Sequence, residues 1–330
     1  MSAIVRILPS GHEFVVEPNE PLLEAALRNG LALEFGCVNG NCGECKARVI
    51  EGTVRQIRFH DYVIGEAEKL NGTVLLCCCA ADGDVTIEAR EASGPDDIPE
   101  QRVRARLYKQ ERVADAVEVV RVRVMRGKQL RFLAGQYVRL SIRGSAYADL
   151  SIASCPCDGL NLEFHFDRYM GDELSDRAIT GFAKTDRFNI DGPRGQFVLD
   201  ESSDRPLVFF ACDGAIAPVK SIIEHAINLE LPQPLYLYWH TTRRNGHYLH
   251  NYFRSLTDAL DEFTYLPVEG GVSPDTLERM PDLSSVDVYL AGSEAFVTNV
   301  REQLLVRGLP ENRLFIDALN RRRLPVPKAD

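Results

Sequence analysis

The sequence lacks the features that would assign it to several large classes of protein. No apolar run approaches the roughly 18 residues of a membrane span. The N-terminus does not show the basic segment followed by an apolar segment that begins a secretory signal. The net charge of −10 argues against binding nucleic acid through a basic surface, and no helix-turn-helix signature stands out. These absences predict a cytoplasmic protein that contacts neither a membrane nor nucleic acid directly.

The cysteines indicate a metal cluster better than a disulfide framework. There are nine, an odd number, and most stand in short motifs. Cys37, Cys42 and Cys45 form a C-x4-C-x2-C array, and three consecutive thiols follow at residues 77–79. The alternatives are a redox dithiol and a zinc knuckle, but zinc knuckles usually show paired C-x2-C units. The spacing is typical of a plant-type [2Fe-2S] site, in which four thiolates converge on two irons.

Glycines make a tight cluster loop feasible. Three of them lie within or beside the array, at Gly36, Gly40 and Gly43. We expect them to allow positive φ angles and to leave backbone N–H groups directed at the sulfur atoms. The residues alone leave the fourth ligand open among the thiols at 77–79, although the apolar residues 74–76 predict a buried strand that runs directly into Cys77.

The N-terminal segment has a β-grasp pattern. Residues 3–8 and 12–16 alternate apolar and polar side chains, which predicts a hairpin. A helix follows, with Asn19 as its predicted cap, Pro21 in its first turn and Gly30 beyond its end. Strands are predicted at residues 46–50, 74–77 and 85–88.

Residues 3–90 resemble plant-type ferredoxins, which have the β-grasp fold and whose last cluster ligand directly follows a strand. The resemblance implies that the cluster is held by Cys37, Cys42, Cys45 and Cys77. Cys78 and Cys79 are then interpreted as packed thiols that do not bind iron.

Two further domains are expected after a polar, proline-containing linker at residues 92–101. Short alternating strands, as at 120–124, 137–142 and 162–166, predict a small antiparallel barrel. From about residue 205 the pattern changes to strands alternating with helices. Strands are predicted at 207–211, 235–239 and 286–290, and helices at 219–230, 249–260, 274–280 and 294–307. This alternation predicts a parallel sheet with helices on both faces.

Ferredoxin, barrel and doubly wound domain in this order resemble the NAD(P)H-dependent reductase components of aromatic-ring and other oxygenases. The resemblance implies a multidomain protein of α+β and α/β class. Its parts are a [2Fe-2S] ferredoxin domain (1–91), the linker (92–101), an FAD-binding barrel (102–202) and an NAD(P)-binding-like domain (203–330). In the family, NAD(P)H passes a hydride to FAD, and the flavin passes single electrons to the cluster and on to a partner.

Several marks of the family's flavin site are present. They are residues 134–137 (Ala-Gly-Gln-Tyr), residues 151–154 at the end of the flavin signature, the helix start around Gly171 and Ser175, and the turn at 192–197. The signature's usual Arg and Tyr are Ala148 and Leu150 here, and Tyr147 or Arg143 are the candidate substitutes. The implied FAD-binding residues are Tyr147, Ser151, Ile152, Ala153, Ser154, Gly171, Ser175 and Gly192.

The nicotinamide marks are lost. The family's Gly-Gly-Thr-Gly turn, which lets the backbone approach the dinucleotide phosphates, is Cys-Asp-Gly-Ala at 212–215. Asp213 places a negative charge where the family approaches phosphate. The family's Cys-Gly-Pro is Ala-Gly-Ser at 291–293, and the aromatic residue expected near the C-terminus is Leu319.

These losses beside an intact cluster motif predict weak or absent NAD(P)H oxidation and no catalytic residue of the chain's own. The pattern resembles a subgroup of reductase-like iron–sulfur flavoproteins that serve in regulation, as in tetralin degradation. The partners implied are a ferredoxin and a transcriptional regulator. The alternative is a working NAD(P)H-dependent reductase that passes electrons through FAD and the [2Fe-2S] cluster to an oxygenase.

The remaining candidate residues have structural interpretations. Cys155 and Cys157 are read as part of a turn in preference to a redox pair. Four histidines have no carboxylate or cysteine at metal-binding sequence spacing and are predicted to pack or lie at the surface: His225, His240, His247 and His250. The basic residues 321–323 are expected to form a solvated tail.

Overall fold

The N-terminal third forms the predicted small sheet with one principal helix. The computed structural model describes residues 2–60, 63–92, 94–125, 128–142, 147–272 and 280–319. Its first elements are β1 (Ala3–Leu8), β2 (Glu13–Val16), α1 (Leu22–Arg28), β3 (Lys46–Glu51), β4 (Val54–Gln56), α2 (Glu66–Leu70), β5 (Thr73–Leu75), β6 (Cys79–Ala81) and β7 (Val85–Glu88). Five strands form a mixed sheet in the order β2-β1-β7-β3-β5, and α1 buries its apolar face against it.

The start of α1 differs from the sequence prediction. Asn19 has a positive φ of 65° and lies before the helix, while Pro21 occupies the cap position without any side-chain cap. Proline supplies the helical start through its restricted φ, so no capping side chain is required. Gly30 follows the helix with a φ of 82°, as expected of a residue that ends a helix.

The second unit is a curled antiparallel sheet. It contains β8 (Gln101–Ala114), β9 (Val117–Val124), β10 (Tyr137–Ile142), β11 (Tyr147–Ser151), β12 (Asn161–Asp167), α3 (Glu173–Thr180) and β13 (Arg187–Arg194). The strand order is β11-β10-β13-β8-β9-β12. Inward residues alternate as predicted, so Val138, Leu140 and Ile142 are buried in the core. Glu163 and His165 on the outer face of β12 are buried as well, because the third unit packs over that face.

The third unit is a parallel sheet. It contains β14 (Leu207–Cys212), α4 (Ile216–Asn228), β15 (Leu235–Thr241), α5 (His250–Ala259), β16 (Phe263–Glu269), β17 (Asp287–Gly292), α6 (Glu294–Val306) and β18 (Leu314–Ala318). The order β16-β15-β14-β17-β18 makes β14 the central strand, and all six of its residues are buried. The sequence analysis did not predict β16 and β18. The helix predicted at 274–280 and the tail at 321–323 lie outside the described residues, apart from Met280.

The predicted fold class is confirmed, since a ferredoxin-like sheet, an antiparallel half-barrel and a parallel sheet follow one another along the chain. The domain boundaries given above fall between or at the edges of these sheets and stay predictions. No helix within the described residues is long and apolar enough to cross a membrane. The parallel sheet reverses its strand order beside β14, and the crevice at the carboxyl ends of such strands is where ligands bind in this architecture.

Candidate functional site

The four cysteines predicted to bind the cluster form two pairs. The backbone N–H of Cys37 points at the sulfur of Cys42 (3.2 Å), and the N–H of Cys42 points back at the sulfur of Cys37 (3.3 Å). The sulfur atoms of Cys45 and Cys77 are 3.3 Å apart. No group of three or more metal-ligating side chains in the described residues surrounds one ion position. Two pairs of thiols match a binuclear cluster, in which each iron takes two cysteine sulfurs.

Backbone dipoles in the loop favour charged sulfur. Burial raises the pKa of the Cys37 thiol, but hydrogen bonds from the N–H groups of Asn39, Asn41 and Cys42 and from the Cys42 thiol lower that pKa below its ordinary value. Burial raises the pKa of Cys42 itself. The Cys45 pKa is raised, first by its bond with the Cys77 thiol and then by burial. Bound metal would replace that shared proton, since the thiolate is the metal ligand.

Two of the three glycines have the predicted backbone conformation. Gly40 and Gly43 have φ angles of 83° and 80°. Gly36 does not have a positive φ, so that part of the prediction is wrong. A Cβ at Gly36 would lie 2.1 Å from an oxygen of the Glu44 carboxylate, which is the end of a flexible side chain and can move aside.

The three consecutive thiols point to different places. Cys77 is fully buried and faces Cys45, as a fourth ligand requires. The sulfur of Cys78 lies 3.6 Å from that of Cys77, and it would meet a Cβ on Gly40 at 2.7 Å. Burial raises the pKa of Cys79, which begins β6, to about 11. The geometry supports Cys77 as the ligand, and the assignment stays a prediction.

The residues predicted to hold FAD lie in different parts of the barrel. Tyr147 and Ser151 are on β11 and Gly192 is on β13. Tyr147 is half exposed, with the Arg139 guanidinium 4.0 Å above its ring, whereas Ala148 and Leu150 are buried in the barrel core. The carbonyls of Ala153 and Ser154 face α4, where they accept from Lys220 (3.1 Å) and from the hydroxyl of Ser221 (2.7 Å). These FAD contacts stay predictions, and Arg143 lies outside the described residues.

The helix that would face the flavin pyrophosphate is capped by its own carboxylate. Asp172 accepts hydrogen bonds from the N–H and the hydroxyl of Ser175, both at 2.7 Å. Glu173 and Asp176 add negative charge to the same turn. Gly171 has a φ of 67°, and a Cβ at this position would meet no atom within 4 Å, so there is room on one side. The negative charge at this helix end opposes the binding of a phosphate there.

The turn predicted to meet the dinucleotide phosphates is filled by Asp213. This residue has a φ of 49° and folds its carboxylate back over the turn. It accepts hydrogen bonds from the hydroxyl of Thr241 (3.0 Å) and from the N–H and hydroxyl of Thr242 (3.1 and 2.7 Å). Such donors at the carboxyl edge of a parallel sheet are the groups that a bound phosphate uses.

An arginine joins this turn to the barrel across the crevice. Arg243 lies 2.7 Å from the carboxylate of Asp167 on β12 and 3.8 Å from that of Asp213. Its guanidinium also lies 4.4 Å above the ring of Tyr169. Asp167 is 3% exposed, so this pair is shielded from water on the barrel side. We call Asp167, Tyr169, Asp213 and Arg243 the crevice clamp.

A second set of charges continues the contact beside the clamp. Lys220 on α4 lies 3.2 Å from Glu163 on β12, and His165 contacts both Glu163 and the hydroxyl of Tyr248, at 3.0 Å each. Burial alone raises the pKa of Glu163, but His165, Lys220 and Arg121 lower it well below its ordinary value. These residues were not predicted from the sequence, because Lys220 and Tyr248 reach Glu163 and His165 only when the third unit covers the barrel.

The other predicted departures of the nicotinamide site lie in packed or capping positions. Ala291 is fully buried in the core of the parallel sheet. Ser293 caps α6 through the N–H of Phe296. Leu319 packs against the core of the parallel sheet.

One of the structural interpretations needs correction. The sulfur atoms of Cys155 and Cys157 are paired as a disulfide, so the turn also holds a pair of sulfurs. His225 is buried, as predicted for a packing residue, and it contacts the carboxylate of Glu201 at 2.9 Å and the sulfur of Cys155 at 3.8 Å. The fold supplies them from distant parts of the sequence, which a search for local spacing does not detect.

Comparison with known proteins agrees with this arrangement. Residues 5–82 match the family described as a 2Fe-2S iron-sulfur cluster binding domain. A CDP-6-deoxy-L-threo-D-glycero-4-hexulose-3-dehydrase reductase of Yersinia pseudotuberculosis is 29% identical, covering 96% of this chain and 98% of the relative. The reductase component of propane 2-monooxygenase from Rhodococcus jostii is 27% identical over 94% of this chain and 89% of its own.

Solved structures share the fold over the same extent. A cytochrome P450 reductase of Amycolatopsis has a TM-score of 0.61 and 24% identity, covering 96% of this chain and 98% of its own. A ferredoxin NADP+ reductase of Neisseria gonorrhoeae, solved with bound FAD and NADP, has a TM-score of 0.56 and 16% identity over 66% of this chain and 98% of its own. The [2Fe-2S] domain is thus confirmed, and the remainder has the fold of a protein that holds FAD.

We predict that Cys77→Ser abolishes or shifts the visible absorption of the cluster, because it removes one of two sulfurs available to one iron. Cys79→Ser, a matched change two residues along, should leave the absorption and the iron content unchanged. A normal spectrum in Cys77→Ser together with a lost one in Cys78→Ser would contradict the assignment and move the ligand by one position.

We predict that the protein carries FAD and that Asp172→Asn binds it more tightly, by about fivefold. The change keeps a capping side chain and removes one negative charge, and a like charge about 4 Å away costs about 1 kcal/mol in water. Quenching of flavin fluorescence during titration measures the affinity. Asp186→Asn, which neutralises a carboxylate paired with Arg177 beyond the other end of α3, is the control. Equal affinities in both variants would contradict the role given to Asp172.

Proposed function

We propose that this chain, which belongs to the plant-type [2Fe-2S] reductase family, is an iron–sulfur flavoprotein electron carrier with an impaired NAD(P)H site. It exchanges electrons with a ferredoxin-like partner, and its redox state controls binding to a transcriptional regulator. The observation that carries the proposal is the crevice clamp, which fills the place where a nicotinamide dinucleotide would enter.

The clamp opposes NAD(P)H binding in two ways. First, Asp213 already satisfies the donors of Thr241 and Thr242, so a phosphate would have to displace a bonded carboxylate. At about 4 Å the repulsion between these like charges is about 1 kcal/mol in water and several times larger at lower dielectric. Second, the Asp167–Arg243 pair spans the crevice, so entry of a ligand requires its separation.

Separation of the clamp is costly because one side of it is buried. Removing a partner from a buried ion pair typically costs about 3–5 kcal/mol, since the other charge is left without compensation. Asp167 also accepts a hydrogen bond from the N–H of Tyr169, and a Cβ added to Gly214 in the turn would lie 3.4 Å from the Asp167 carboxylate. The barrel and the parallel sheet therefore support one another without a bound dinucleotide.

Electron transfer does not depend on this crevice. Cys42 is exposed and Cys37 is half-buried, so the outer pair of cluster sulfurs lies near the surface. Bound FAD would supply the conversion between hydride and single-electron chemistry. With hydride entry impaired, the accessible reactions are single-electron exchanges through the cluster. The redox state of a carrier that equilibrates with a ferredoxin follows the redox state of that ferredoxin. Such a carrier can therefore signal this state to a regulator that binds only one of its forms.

The second candidate is a working NAD(P)H-dependent reductase of an oxygenase. The relatives favour it, because proteins named as reductase components align with nearly the whole chain. In that case the clamp would open when the dinucleotide binds. The two functions differ in whether NAD(P)H reduces the protein at a useful rate.

We predict that excess NADH or NADPH reduces the protein orders of magnitude more slowly than dithionite does. Hydride transfer needs a near-attack distance of roughly 3–3.5 Å, and the clamp keeps the nicotinamide from that position. Absorbance after anaerobic mixing is sufficient to measure the rates. Rapid full bleaching by either nucleotide would refute the impaired site and favour the reductase.

Variants locate the defect. Cys212→Gly with Asp213→Gly and Ala215→Gly restores a glycine turn, and Asp167→Asn uncouples Arg243 from the barrel. Each should increase the rate of reduction by NAD(P)H. Glu118→Gln is the matched control, because the buried carboxylate of Glu118 pairs with Arg112 within the barrel, outside both the crevice clamp and the predicted FAD residues. An increase in the control alone would place the defect elsewhere.

We predict that deleting the gene lowers transcripts of an oxygenase pathway, and that the Cys77→Ser variant fails to restore them. RNA sequencing of the deletion strain and of complemented strains tests the regulatory role. Unchanged transcripts with loss of oxygenase turnover would contradict regulation and support the second candidate.

A further inference from the structure

A set of reactive side chains lies apart from the cluster and the crevice clamp. Cys155 and Cys157 follow the flavin signature of the barrel and are paired through sulfur, with their Cα atoms 5.3 Å apart. His225 on α4 places Nδ1 3.8 Å from the sulfur of Cys155, and its Nε2 lies 2.9 Å from the carboxylate of Glu201. We propose that these residues form a thiol–disulfide exchange site whose substrates are small thiols and disulfides of the glutathione class.

Burial assigns different roles to the two sulfurs. Cys157 is partly exposed, so an external sulfur can reach it. Cys155 is 7% exposed and His225 is 2% exposed, so both are shielded from external reagents. Cys157 is therefore the sulfur that exchanges with the external partner, and Cys155 is the resolving thiol.

The hydrogen bonds orient His225 as a base for Cys155. With Nε2–H donated to Glu201, the neutral ring presents the lone pair of Nδ1 to the thiol. Glu201 is a positioning residue, since it holds this tautomer and stabilises the ring when it becomes charged. The N–H of Cys157 points at the sulfur of Cys155 at 3.3 Å, which stabilises a thiolate there.

The oxidative half-reaction balances with one disulfide as the oxidant. The thiolate of Cys157 attacks glutathione disulfide, forms a mixed disulfide and releases one glutathione thiolate, which takes up the proton that Cys157 lost. His225 then removes the proton of Cys155, whose thiolate attacks the sulfur of Cys157 and releases the second glutathione. That leaving group takes the proton from His225. The net result is one disulfide reduced to two thiols and one formed between Cys155 and Cys157.

The chain contains an internal comparison for this site. Cys212 is also buried and lies beside a carboxylate, but burial and the charge of Asp213 raise its pKa to about 12. It has no histidine partner among the described contacts. It should therefore stay a thiol under conditions in which Cys155 and Cys157 exchange.

The test uses the full-length protein, with its cofactors, in anaerobic glutathione buffers of different thiol-to-disulfide ratio. After acid quenching, alkylation and trypsin digestion, the peptide of residues 144–168 contains Cys155 and Cys157 and none of the cluster cysteines. Mass spectrometry should show reversible conversion of this peptide between dithiol and disulfide, while the Cys212 peptide stays alkylated. Cys155→Ser should trap the mixed disulfide on Cys157.

Two variants test the histidine. His225→Gln should slow the resolving step about tenfold or more at pH 7. The difference should shrink above about pH 9, where a thiol ionises without a base. Glu201→Gln, at a more exposed position, should slow the resolving step by a smaller factor with the same pH dependence. This variant is used in place of His225→Gln if His225→Gln does not fold. A peptide that keeps one redox state in every buffer, or variants that resolve at the wild-type rate at pH 7, would overturn the proposal.

Discussion

The ion pair between Asp167 and Arg243 is the contact on which the arrangement of the C-terminal two thirds depends. It joins the outer face of a barrel strand to the carboxyl edge of the parallel sheet, at 2.7 Å. Because Asp167 is buried, separating the pair would leave its carboxylate without a partner and away from water, which raises the free energy. Together with the Lys220–Glu163 pair, the Asp167–Arg243 pair holds the two units against each other beside the crevice in which this architecture binds ligands.

The neighbouring Lys220 is also a buried charge that is stabilised by its partners. Lys220 is 6% exposed and would be unfavourable in that position alone, but Glu163, Glu224 and the carbonyl of Ala153 surround it. Buried charges that are fully paired specify one arrangement of two surfaces better than an apolar contact, since a shifted register leaves them without partners. The paired charges therefore stabilise the contact between barrel and sheet and also favour one register of it. The backbone after the flavin signature takes part through the carbonyl of Ala153.

The cluster site depends on local structure to a greater degree. Cys37, Cys42 and Cys45 stand on one short loop, whose backbone N–H groups point at sulfur and whose glycines have positive φ where the chain turns. Only the fourth thiol comes from elsewhere, and it arrives at the end of β5 through the sheet that pairs β5 with β3. The predicted cluster site is therefore assembled within the N-terminal unit.

The sequence by itself determined the features that depend on neighbouring residues. The cysteine spacing, the hairpin of β1 and β2, the alternation of β10 and the apolar run of β14 each depend on short-range pattern, and each is present in the structure. The sequence also showed that Asp213 and Ala148 depart from the family's nicotinamide and flavin motifs, but it did not show which contacts these residues make. Only the tertiary structure decided that Asp213 bonds Thr241 and Thr242, that Arg243 reaches Asp167, and that His225 meets Cys155 and Glu201. Arg243 and His225 meet their barrel partners because the third unit packs over the barrel. Asp213 reaches Thr241 and Thr242 because β14 pairs with β15 in the parallel sheet.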